Sequence, residues 1–253
     1  MNKTALSVNL NKIALLRNSR EGDYPSVIKH AEVCLAAGAD GITVHPRPDQ
    51  RHIRPHDVYQ LAELIKPLHP IEFNVEGNPF AESLGDYPGF IELVSATRPD
   101  QCTLVPDSND QLTSDHGFDL TRSGAALRPI IKRLQDEGIR VSLFMDPDLE
   151  QIKLAKDIGA DRIELYTGPY AHAYKNQTAD LEAIYTSHYQ AAELALQIGL
   201  GLNAGHDLNL DNLAKYRTIP QLLEVSIGHA LTVDALAMDM ATAVERYRAI
   251  CHG

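Results

Sequence analysis

Cysteine is scarce in this chain. Cys34, Cys102 and Cys251 are scattered, odd in number and form no CxxC pair, which argues against a disulfide framework and a zinc ribbon. Positive charge is also in deficit. The formal net charge is -11 at pH 7, and so acidic a chain is poorly suited to non-specific binding of nucleic acid or anionic membranes. The first residues, MNKTALSVNLNK, lack the apolar core of a signal peptide, and no apolar run approaches the length of a membrane span. A cytoplasmic protein with neither nucleic acid nor membrane as partner is the expectation. No GxGxxG follows the first strand candidate, which weighs against a dinucleotide fold. No linker or low-complexity tract divides the 253 residues. One domain, 1–253, is expected, and at 44% apolar residues it can build a full core.

What is present is a regular alternation. Short apolar runs at 5–10, 42–44, 71–76, 102–106, 140–145, 162–166, 201–206 and 223–229 read as strands. Segments of helical periodicity follow them, several closed by a glycine: Gly38, Gly138, Gly159 and Gly199. AAGAD-GI (36–42) and DIGAD-RI (157–163) repeat the same helix-stop, strand-start punctuation. Strand–helix units at about thirty-residue spacing indicate an α/β fold with parallel strands. Their number and the chain length favour a single (β/α)8 TIM barrel. Three further readings are specific. Residues 11–20 form a polar, basic exit from the first strand, 167–178 form a loop, and 233–250 form one helix.

A barrel carries its chemistry at the C-terminal ends of its strands. Those ends are read as Asn9 and Asn11, His45 and Arg47, Glu72 and Glu76, Pro106, Asp146, Glu164, His206, and Gly228 with His229. Behind the second strand, His45, Arg47, Arg51, His52 and Arg54 crowd into ten residues. Guanidinium forks in such density suit a phosphate. Glu72 and Glu164 sit between apolar neighbours, where a buried structural salt bridge competes with a catalytic role. Gly205-His206 and Gly228-His229 fall where many barrels grip phosphate through backbone N–H groups.

Absences narrow the reaction. No lysine lies within a strand core at its catalytic end, which disfavours an enzyme Schiff base, and only Lys12 and Lys175 lie in loops nearby. There is no nucleophile elbow and no HExxH, although His45, Glu72, Glu164, His206 and His229 are of ligating type. General acid–base chemistry on a phosphorylated small molecule remains. On spacing alone, an isomerase, an epimerase, a cofactor-free aldolase and a non-catalytic phosphate-binding barrel all stay open.

Eight stretches narrow this further: VNLNKIALLRNSR (8–20), GADGITVHPRPDQRHI (38–53), IEFNVE (71–76), TLVPD (103–107), VSLFMD (141–146), RIELYTGPYA (162–171), LGLNAGHDL (200–208) and SIGHAL (226–231). Together they resemble the pyridoxine 5′-phosphate synthase family of vitamin B6 biosynthesis. The resemblance implies a (β/α)8 barrel assembled as a homooctamer that uses no metal and no organic cofactor. Its implied reaction condenses 1-deoxy-D-xylulose 5-phosphate with 3-amino-2-oxopropyl phosphate. It implies His45 and Glu72 as proton acceptors, His206 as proton donor and Glu164 as a transition-state stabiliser. Asn9, Arg20, Arg47, His52, Thr113, Gly228 and His229 are implied substrate contacts, and Asn11, Lys12 and Asp207 fall at further ligand positions. The chain departs from the frequent family pattern at three places. Asn11-Lys12 replaces Asp-His, Asp207 replaces Gly, and Val233-Asp234 replaces Gly-Arg.

Overall fold

The computed structural model describes residues 3–108 and 110–253. Residues 1, 2 and 109 lie outside the described residues, the first two in the opening stretch read above and the last in the loop after the fourth strand. Eight parallel strands close into a barrel in sequence order. They are β1 (Ala5–Asn9), β2 (Gly41–Val44), β3 (Glu72–Gly77), β4 (Gln101–Leu104), β5 (Arg140–Met145), β6 (Arg162–Tyr166), β7 (Gly201–Gly205) and β8 (Leu222–Ile227). The helices around them are α1 (Asn11–Asn18), α2 (Val27–Ala36), α3 (Pro55–Ile65), α4 (Phe90–Thr97), α5 (Leu120–Asp136), α6 (Leu149–Asp157), α7 (Gly168–Asn176), α8 (Leu181–Gln197), α9 (Leu213–Tyr216), α10 (His229–Met238) and α11 (Met240–His252).

Period-two alternation divides the strands into two populations. Leu6, Val8, Ile42, Val44, Phe73, Val75, Val141, Leu143, Ile163 and Leu165 are buried in the apolar layer between strands and helices. The alternate residues fill the barrel, and many of them are polar. Gln101 Nε2 reaches Glu224 Oε1 at 3.5 Å, Asn203 Nδ2 donates to Gln101 Oε1 at 3.2 Å, and Thr103 Oγ1 donates to Asn74 Oδ1 at 3.1 Å. Buried polar groups are tolerable when they satisfy one another in this way.

Three local readings are corrected by the fold. The basic exit at 11–20 is largely α1. Its inward side is Ile13, Ala14 and Arg17, so a guanidinium occupies a position that apolar periodicity does not register. The loop at 167–178 is α7. Gly168 and Pro169 look like breakers, but proline is tolerated in a first turn, and Tyr170, Ala171 and Ala173 anchor the helix. The last helix is two helices, because Asp239 takes φ 72° and accepts from Thr242 N at 2.9 Å, capping α11.

Arg17 joins α1 to α3. Its guanidinium pairs with both carboxylate oxygens of Asp57, with Nη2 to Oδ2 at 2.9 Å, and donates to the His52 carbonyl at 3.1 Å. Asp57 Oδ2 also accepts the Arg54 N–H at 2.7 Å, closing the first turn of α3. Asn18 Nδ2 donates to the same His52 carbonyl at 2.8 Å. The segment 45–54 is therefore tied down beneath its basic side chains. Arg17→Met would leave Asp57 buried without its partner and is expected to cost about 3–5 kcal/mol. Equilibrium unfolding in urea checks this, and a midpoint equal to wild type would contradict it.

Candidate active site

The C-terminal end of the barrel opens into a cavity of about 360 Å³. It brings together Asn9, Asn11, Lys12, His45, Arg47, His52, Thr113, Glu164, His206, Asp207, Gly228 and His229, all named from the sequence. Two expected residues are elsewhere. Arg20 is exposed beyond the end of α1 and does not line the cavity. Glu72 is the first residue of β3, not its end. It pairs with Arg140 and lines a separate cavity of about 320 Å³ at the opposite, N-terminal opening. Glu72 stands at the start of β3, at the end of the strand away from the cavity described above.

His45 follows β2, and its backbone N–H donates to Asn11 Oδ1 at 2.9 Å. Its Nε2 lies 3.0 Å from Asp107 Oδ2, and its Nδ1 lies 3.8 Å from Glu76 Oε2. Asp107 also takes Arg47 Nη2 at 2.5 Å. Burial alone would raise the Asp107 carboxyl, but His45 and Arg47 hold it down to about 2. It is therefore an anion bridging the imidazole and the guanidinium.

His52 is different. Burial pushes its pKa down to about 3, with His45 and Arg47 adding to the effect, and its Nδ1 accepts the Ile53 N–H at 2.9 Å. A neutral ring with Nδ1 occupied as acceptor carries its proton on Nε2, which makes it a hydrogen-bond donor. Across the cavity, His206 Nε2 meets Thr113 Oγ1 at 3.0 Å, and Nδ1 lies 3.1 Å from Asp207 Oδ2. Pairing with His206 keeps the Asp207 carboxyl below its usual range. His206 and Asp207 have φ 88° and 58°, a left-handed step that turns the imidazole over the cavity.

Carboxyls behave differently at the floor. Glu164 is 3% exposed, and burial, reinforced by Glu224, lifts it to about 8. Gly205 makes room for it, since a Cβ there would overlap Glu164 Oε1. Glu76 is pushed up by burial and by Glu164. At the far rim, Gly228 precedes α10, and a Cβ on it would come within 3.0 Å of Asn9. Gly228 and His229, where α10 begins, line the cavity with Lys12, and a helix N-terminus beside a cation is a favourable setting for a phosphate.

Sequence reasoning passed over Asp107 as a site residue and named Glu76 only as a strand end. Asp107 had a legible signal, an acid just past the fourth strand. Arg51 was visible only as part of the basic cluster; its Nη1 donates to the Gln111 carbonyl at 2.7 Å. Through Arg47, Arg51 and Thr113 the loop after β4 is drawn over the cavity, where Leu112 and Ser114 join the lining. Among the described residues no group of three or more His, Cys, Asp and Glu is arranged to hold a metal.

A closed parallel barrel with acids, imidazoles and anion grips at the C-terminal ends of its strands is a TIM-barrel enzyme for phosphorylated small molecules. The family profile described as "Pyridoxal phosphate biosynthesis protein PdxJ" matches residues 6–253, and the chain belongs to that family. It is 55% identical over 252 residues to the pyridoxine 5′-phosphate synthase of Xanthomonas campestris pv. campestris, covering 99% of this chain and 97% of the relative. It is 51% identical over 246 residues to that of Xylella fastidiosa, covering 97% and 94%. A solved tryptophan synthase structure from Mycobacterium tuberculosis covers 100% of this chain and 94% of its own with TM-score 0.63 at 13% identity, a likeness of fold alone.

The raised carboxyls make stability depend on pH. Glu164 moves from the usual 4.5 to about 8, and Glu224 moves to about 7. Between these limits the folded protein binds more protons than the unfolded chain, so stability falls as pH rises. Unfolding midpoints of the unliganded protein are expected to decline from about pH 5 to about pH 8, and Glu164→Gln is expected to flatten the decline. A wild-type midpoint that rises across this window would contradict the assignment.

Proposed function

We propose that the chain is a pyridoxine 5′-phosphate synthase, condensing 1-deoxy-D-xylulose 5-phosphate with 3-amino-2-oxopropyl phosphate. One observation carries the reading in a chain of this family. The residues named for those substrates, apart from Glu72 and Arg20, line a single cavity at the catalytic end of the barrel. Two sets of residues suited to anions line it. Gly228, His229 and Lys12 form one, and Arg47 with the neutral His52 forms the other. Two phosphorylated reactants need two such grips.

In this reaction the amine of the aminoketone phosphate supplies the nitrogen that attacks the pentulose carbonyl. Forming and dehydrating that adduct requires a proton acceptor and a proton donor near one carbon. His45, anchored by the Asp107 anion, accepts. His206, aligned by Thr113 and paired with Asp207, donates during later water and phosphate loss. Glu164, held as an acid near neutral pH, places a neutral hydrogen-bond donor against developing oxyanion charge. Leu112, Thr113 and Ser114 line the opening, and closure of these residues would shield imines from water. Asn11 bonds the His45 backbone, so the departure at position 11 still serves the site.

Family likeness also supports assembly into homooctamers. Leu16, Val233 and Leu236 are exposed on α1 and α10 and form apolar surface that packing between copies would cover. Among the described residues no helix is long and apolar enough to cross a membrane. A cytoplasmic location remains part of this proposal.

Purified protein given both substrates is expected to form pyridoxine 5′-phosphate, read by mass spectrometry, and absence of the product would refute the activity. His206→Asn is expected to lower kcat on the order of 100-fold while leaving KM within a few-fold, because the phosphate grips are untouched. An equal fall in binding would instead make His206 a grip.

A further inference from the structure

Strand β7 ends at Gly205, and the next two residues both take positive φ, 88° at His206 and 58° at Asp207. Side chains with a Cβ rarely adopt this conformation, and it persists only where the surroundings hold it. We propose that Thr167 is a positioning residue for His206, holding the left-handed turn that sets the imidazole over the cavity. The proposal deepens the synthase reading above and rests on its choice of His206 as proton donor.

Thr167 follows β6, the neighbour of β7, and is fully buried. It occupies the N-cap of α7, where a threonine ordinarily turns its hydroxyl to the free N–H groups of the first turn. Here the side chain makes no such bond. Its Oγ1 instead crosses to the end of β7. It donates to the Gly205 carbonyl at 2.7 Å and to the His206 carbonyl beside it, one hydroxyl proton shared between successive acceptors. The Thr167 N–H also donates to the Gly205 carbonyl, at 3.0 Å.

The turn is held from its other side as well. The Asp207 carbonyl accepts Asn212 Nδ2 at 3.2 Å, and Asn212 is buried. Asn212 Oδ1 takes the Asn209 N–H at 2.8 Å, and the Asn212 carbonyl takes Tyr170 Oη of α7 at 2.9 Å. The carbonyls of Gly205, His206 and Asp207 thus each meet a side-chain donor. Removing the Thr167 hydroxyl would leave the Gly205 carbonyl its N–H donor and take away the bond to the His206 carbonyl.

The direction of the imidazole follows from the backbone that carries it. With φ at 88°, the ring packs edge-on against Tyr166, with centroids 5.2 Å apart, and Nε2 meets Thr113 Oγ1 at 3.0 Å. Relaxation of the turn toward negative φ would swing the Cα–Cβ bond and carry Nε2 away from that position. Proton transfer demands close placement of donor and acceptor, and a shift of about 1 Å can cost on the order of 100-fold in rate. The end of β6 therefore serves His206 twice, with the Tyr166 ring beside the imidazole and the Thr167 hydroxyl on its backbone.

The test assays Thr167→Val, Thr167→Ser, His206→Asn, and Thr167→Val combined with His206→Asn, each in the full chain with both substrates. Product formation by wild type is measured first; if none appears, the synthase reading falls and takes this proposal with it. Given an active wild type, Thr167→Val keeps the shape and removes the donor. It is expected to lower kcat on the order of 10-fold with KM within about threefold. Thr167→Ser restores the hydroxyl and is expected to recover most of that loss; this arm also stands if the valine variant folds poorly. Once His206→Asn has removed the group being positioned, adding Thr167→Val is expected to cost less than about twofold more. A merely structural threonine would cost the same rate in both backgrounds. A repeated tenfold fall in the His206→Asn background would therefore overturn the positioning role and leave the synthase reading intact. So would a kcat within about threefold of wild type in Thr167→Val, or a serine variant slowed about tenfold.

Discussion

The structure depends on placing carboxyl groups inside a closed barrel. A buried carboxylate is costly unless it is paired or protonated, and the two ends of this barrel use the two different solutions. At the N-terminal end, guanidiniums are supplied. Arg140 pairs with Glu72, and Arg162 Nη1 lies 3.4 Å from Glu224 Oε2, with Gln101 and Asn203 hydrogen-bonded between them. At the catalytic end, Glu76 and Glu164 meet each other, Asn74 and Thr103 instead. Their answer is to hold protons. Glu224 shares both conditions: it stands beside Arg162, yet burial lifts it to about 7, so the change from charge-paired base to proton-holding floor is graded along the barrel.

Above that floor, anions do the positioning. Asp107 is shared by His45 and Arg47, so one carboxylate orients a proton carrier and a phosphate grip together. Asp57 performs a related task outside the barrel. It binds Arg17 and caps α3, and the Arg17 guanidinium reaches the His52 carbonyl. The ring of His52 stays neutral inside a basic cluster, because adding another charge among Arg47, Arg51 and His45 in a buried setting is unfavourable. The grip accordingly combines fixed guanidiniums with a neutral donor, and its field toward an anion does not depend on protonating His52.

Much of this was legible in the chain. The strands announce themselves through β-branched and aromatic runs with glycine stops, and those at 140–145 and 162–166 coincide with β5 and β6. Strand order follows sequence order, so listing strand ends approximates the cavity lining. That correspondence breaks where a strand carries polar residues at both of its ends. The run 71–76 contains two acids on one face, and periodicity cannot say which lies at the catalytic end. It fails again where polar residues hide a helix, as Arg17 does in α1, and where glycine and proline open one, as in α7. Asp107 escaped because its role depends on a partner sixty residues away in sequence.

The sequence by itself determined the alternation of elements, the barrel class, the family and most residues of the catalytic rim, because each is written in local periodicity or short motifs. Tertiary structure alone decided which carboxylates are paired with arginine and which retain protons. It also decided which nitrogen of His45 meets Asp107 and which glutamate of β3 lines the cavity. Those properties arise from distances between strands and from exclusion of water, and both come into being only when the barrel closes.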